Sequence, residues 1–140
     1  MKRNNLINSG LWHGILWALF TSILAFIVLF LSGYALSQIK LLNADTNEII
    51  AYLIYDLSIG IGCYFICRKY PDSIFIVPVL ANTMGIISSV IEPNFWKSSL
   101  WVFILSGWIF STAVSWAAYL NAKRIINNKE TENYEKIRST

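Results

Sequence analysis

Charge is scarce in this chain and missing from long parts of it. Asp, Glu, Lys and Arg make up 14% of the 140 residues, and the stretch LWHGILWALFTSILAFIVLFLSGYAL (11–36) contains none of them. Histidine occurs once, as His13, and cysteine twice, as Cys63 and Cys67. A redox dithiol or a zinc site asks for C-x-x-C or for further Cys and His ligands. The spacing here is C-x-x-x-C inside an apolar run, so no metal and no redox cofactor is expected. The two cysteines read as small packing residues, with lipidation of Cys67 near a membrane face as the alternative. A net charge of +3 without a basic, aromatic-interleaved patch argues against a nucleic-acid partner. There is no Ser-His-Asp set in a plausible context, no H-E-x-x-H, no carboxylate pair in one layer and no glycine-rich phosphate loop. Neither an enzyme nor a cofactor is expected, and no residue is assigned as catalytic.

What is abundant is apolar surface. Hydrophobic residues make up 56% of the chain and aromatic ones 15%. A water-soluble domain of this size could not bury so much, because too large a share of its area faces solvent. The apolar residues also come in runs rather than stripes, which points to an all-α integral membrane protein. Crossing about 30 Å of hydrocarbon takes about 20 helical residues. Four runs meet that length, at about 11–36, 46–67, 73–91 and 97–122, and predict an up-down four-helix bundle. The first run is too long for a signal-peptide core and no cleavage site follows it, so a retained helix is expected. Asp45 and Glu48 suggest a capping box at the start of the second helix, and Asp72 an N-cap for the third. Residues 1–122 form the transmembrane domain on this reading. Residues 123–140 form a polar tail, which extends helix 4 at first and then becomes a loose, solvated end.

Lys and Arg set the orientation. With the N-terminus inside, Lys2, Arg3, Arg68, Lys69, Lys123, Arg124, Lys129, Lys136 and Arg138 are all cytoplasmic, and only Lys40 and Lys97 lie outside. Both termini are therefore expected in the cytoplasm of a multi-pass plasma-membrane protein, or an inner-membrane protein in a bacterium. Trp12, Tyr70, Trp96 and Tyr119 fall near the interfaces, where amphipathic rings settle. His13 reads as an interfacial residue rather than a proton relay.

Helices in lipid associate through close approach and polar contacts. Gly10, Gly14, Ala18 and Ser22 form a small-residue ridge on helix 1, and Gly107, Ser111 and Ser115 one on helix 4. Packing within the chain is the leading use of these ridges, and a homo-oligomer contact the alternative. Helix 2 places Asp56, Gly60, Cys63 and Cys67 on one face, and helix 3 places Pro78, Asn82, Gly85 and Ser89 on one face. These two faces are expected to meet near the midplane, with Asp56 within reach of Asn82 and a kink at Pro78. Asp56, Asn82 and Tyr55 form the candidate intramembrane polar site. A bare charge at that depth costs at least about 2.5–3.5 kcal/mol, and no span carries a Lys or Arg to pair with it. Asp56 is therefore neutral, wet or hydrogen-bonded.

Two functions follow. One is a structural or accessory subunit that associates with itself or with another membrane protein. The other is a small oligomeric transporter or channel that uses Asp56 to bind a proton or cation. Known four-span families fit neither. Small multidrug transporters carry a glutamate in the first helix, which here has no acid. Dual-topology fluoride channels have unbiased loop charge. Quinone-linked thiol oxidoreductases use C-x-x-C.

Overall fold

The computed structural model describes residues 2–39, 43–91 and 100–138, with side chains chiefly over 10–39, 46–87 and 101–129. Helix α1 spans Lys2–Ser37, α2 Ala44–Lys69, α3 Val77–Ala81, α4 Thr83–Ile91 and α5 Leu100–Arg138, and a 3-10 turn covers Pro71–Ser73. No strand occurs among the described residues. The fold is all-helical, and three helices are long and apolar enough to cross a membrane: Gly10–Ser37, Thr46–Lys69 and Trp101–Lys129. The chain reads as a membrane protein.

Helices α1 and α2 stop for local reasons. The last turn of α1 tightens, with Gln38 N–H donating to Ala35 O and Ile39 N–H to Leu36 O. These bonds satisfy carbonyls that lack an intrahelical donor. Helix α2 ends because Pro71 pushes its predecessor out of helical space. Tyr70 accordingly sits at φ −127°, ψ 72°, its N–H still donating to Ile66 O at 2.7 Å. Arg68 and Lys69 occupy the last turn of α2, where cations oppose the helix dipole favourably. The Lys69 ammonium lies 5.4 Å from the Tyr70 ring centre.

Residue pairings fix the helix directions. His13 stacks on Tyr70, with ring centres 5.9 Å apart, while Phe26 and Leu29 line a cavity with Tyr52 and Tyr55. Helix α1 is therefore antiparallel to α2. Tyr52 stacks on Phe103, and Asn121 lies 3.4 Å from the Tyr64 hydroxyl, so α2 runs parallel to α5. Helix α2 makes its most extensive contacts with α5 and α1, and α3 makes its own chiefly with α1.

Several sequence expectations are corrected. The segment 73–91 is not one kinked helix. Pro78 lies in the first turn of α3, where its missing N–H costs nothing. The interruption comes at Asn82, between α3 and α4. Asp72 is not an N-cap but the middle residue of the 3-10 turn. Helix α2 starts earlier than expected, with Asn43 as its N-cap and no side-chain capping bond there; the Asp45 side chain lies outside the described residues. The tail is not loose, since α5 continues to Arg138. Residues 123–138 contain no Gly or Pro to interrupt it. The start of helix 4 near 97, along with Trp96 and Lys97, lies outside the described residues, as do Lys40 and the Ser89 side chain.

Candidate functional site

The polar residues of the bundle converge on α5. Its buried stripe runs Gly107, Ser111, Ser115, Ala118 and Ala122, spaced so that they share one face. Small side chains on that stripe let α2 and the α3–α4 segment come close.

Asn82 is 3% exposed, and its side-chain nitrogen spends both of its protons. Its side-chain amide donates to Pro78 O at 2.7 Å and to the Ser111 hydroxyl at 3.0 Å. An amide nitrogen carries two protons, so both bonds coexist. The Ser111 hydroxyl lies 3.1 Å from Trp108 O, and the Ser115 hydroxyl donates to Ser111 O at 2.7 Å. This network ties the break in the α3–α4 segment to α5.

Asp56 is 8% exposed and less well served. Its Oδ2 lies 3.5 Å from the Ser106 hydroxyl, which lies only 2.8 Å from Phe103 O. That hydroxyl has one proton, and the shorter contact takes most of it. The carboxyl group rests against the Gly107 backbone, and a Cβ at Gly107 would collide with it. Among the described residues, Asp56 and Asn82 do not bond each other; the expected contact between them is replaced by two separate contacts with α5, at Ser106 and Ser111. The face of α2 turns to α5 for the same reason. A Cβ at Gly60 would strike the Phe110 ring, and Cys63 and Cys67, both free and fully buried, stand beside Ser115.

The third candidate, Tyr55, is 3% exposed, and its hydroxyl has no hydrogen-bond partner among the described residues. The hydroxyl is aimed at the Gly85 backbone, and a Cβ on Gly85 would stand 3.5 Å from it. The break at Asn82 frees the first N–H groups of α4. Met84 N–H donates to the Ser22 hydroxyl of α1 at 3.3 Å.

On α1, Ala18 and Ser22 are buried and Gly14 packs against Ser73 and Tyr70, whereas Gly10 has nothing within 4 Å of where its Cβ would be. Three contacts were not foreseen: Ser106 beside Asp56, Gly62 against Thr21, and Ser22 capping α4. Ser106 was findable, because it forms a small-polar dipeptide with Gly107 inside an apolar run. The role of Ser22 was not, since it depends on the break at Asn82. No group of three or more His, Cys, Asp or Glu that could hold a metal occurs among the described residues.

No family model, curated protein or solved structure matches this chain.

Proposed function

We propose that this protein is a structural or accessory subunit of a membrane assembly, joined to another membrane protein or to further copies of itself. The observation that carries this reading is the Asn82–Ser111–Ser115 network on the small-residue face of α5. It is a polar cluster spent on holding helices together. The partner is reached through the lipid-facing surface.

The proposal includes a fourth crossing by residues 71–91. Its 21 residues, interrupted at Asn82, are about the number that a crossing of the hydrocarbon core takes. The parallel course of α2 and α5 supports it. The distribution of Lys and Arg supports cytoplasmic termini in the plasma membrane.

A second reading has its own support. Asp56 is buried with one long contact, and a helix break at Asn82 puts two helix ends inside the bundle. Broken helices at membrane depth are how many transporters build substrate and ion sites. On that reading Asp56 binds a proton or cation in a small oligomeric carrier.

Purification of the full chain from its native membrane in mild detergent tests the choice. The subunit reading predicts a discrete oligomer or a copurifying polytopic protein of fixed stoichiometry. A clean monomer that moves a solute in liposomes would overturn it.

A further inference from the structure

The 3-10 turn that follows α2 packs on α5 and leaves a pocket of about 240 Å³ beside it. Pro71, Asp72, Ile74 and Phe75 form one wall, and Trp116 and Tyr119 of α5 form the other. The two α5 rings lie 5.9 Å apart, tilted by 41°. Three aromatic rings and one carboxylate thus border a single opening. A cation is drawn both to aromatic rings and to a carboxylate, and an ammonium group satisfies both. An anion there would meet Asp72 as a like charge.

Position adds to chemistry. The turn comes directly after Arg68 and Lys69, which close the second span. The charged end of a span is where lipid headgroups lie. Lys123 follows Tyr119 by four residues and Trp116 by seven, so it shares their face of α5, and it is exposed. On its other side, Trp116 borders an open apolar groove with Trp108, Ile109, Thr112 and Ala113. The small Thr112 and Ala113 lie between two bulky indoles. The groove therefore runs along α5 for about 12 Å, away from Lys123 and into the apolar span.

We propose that the pocket and the groove together bind one phospholipid whose headgroup ends in an ammonium. The ammonium sits beside Asp72, among Phe75, Trp116 and Tyr119. The phosphate faces Lys123, and one acyl chain lies in the groove between Trp116 and Trp108. The site is compatible with both functional readings, because it uses the exposed side of α5 and not the buried Gly107–Ser111–Ser115 stripe.

Native mass spectrometry of the full-length protein, released from detergent micelles, tests this site. Dioleoyl phosphatidylethanolamine and dioleoyl phosphatidylglycerol are added at equal concentration. They share acyl chains and phosphate and differ at the headgroup terminus. The protein should retain one molecule of the ethanolamine lipid, in preference to the glycerol lipid by about 3- to 10-fold. Asp72→Asn should remove that preference, and Trp116→Ala should lower retention of both lipids. Phe30→Ala, which trims an exposed ring on α1, should change neither. Equal or greater retention of the glycerol lipid by the wild type would overturn the proposal, and that comparison needs no variant to fold. A preference that survives Asp72→Asn, or retention unchanged by Trp116→Ala, would overturn it as well.

Discussion

The Asn82 side chain reaches 3.0 Å to the Ser111 hydroxyl, joining the break between α3 and α4 to a helix that begins eighteen positions further on. The same amide holds Pro78 O at 2.7 Å. One residue thus satisfies a carbonyl at the end of α3 and anchors the interrupted segment to α5. In lipid, helix contacts of this kind are worth about 0.6 kcal/mol on average and at most about 1.7. A double-mutant cycle with Asn82→Ala and Ser111→Ala, read by unfolding in mixed micelles, should give a coupling energy of about 0.6–1.7 kcal/mol. Additive losses would mean that the two side chains do not act as a pair.

The glycines should separate by position. Gly107→Ala drives a methyl group into the Asp56 carboxyl, and Gly14→Ala drives one into the Ser73 side chain. Overpacking of this kind costs about 1–3 kcal/mol. Gly33 has open space at its Cβ position, so Gly33→Ala should be neutral or stabilise by up to about 1 kcal/mol through helix propensity. Chemical unfolding of the three variants checks the order. Equal effects at Gly107 and Gly33 would remove the close approach of α2 to α5.

Cysteine labelling tests the proposed orientation. Cys63 and Cys67 are fully buried, so they should stay silent in the native chain. A cysteine placed at Asn43 should react with an impermeant maleimide added outside intact cells. One placed at Asn128 should react only after permeabilisation. Reversal of the two would turn the chain over in the membrane.

The three long helices were legible because length and apolar content alone decide what crosses lipid. The third segment was not, because Pro78 admits two outcomes. Inside a helix it kinks; in the first turn it starts one, and here it starts α3. Asn82 and Thr83 were the missed signal, since Asn favours the start of a helix. Its side chain in fact bonds backward to Pro78 O rather than forward. The sharing of a face by Asp56, Gly60, Cys63 and Cys67 was readable from spacing. Which neighbour that face meets was not, because spacing orients a face about its own axis and says nothing of where α5 lies.

Asp56 decides between the two functions, and its replacement by the near-isosteric Asn tests the account most directly. Asp56→Asn keeps an oxygen for Ser106 and the shape that rests on Gly107. The measurement is proton and alkali-cation flux into liposomes holding wild type or Asp56→Asn, alongside the oligomer or partner recovered with each. The subunit account predicts no flux that depends on Asp56 and the same assembly from both proteins. Flux by the wild type that disappears in a folded Asp56→Asn variant would contradict it and make Asp56 a transport site.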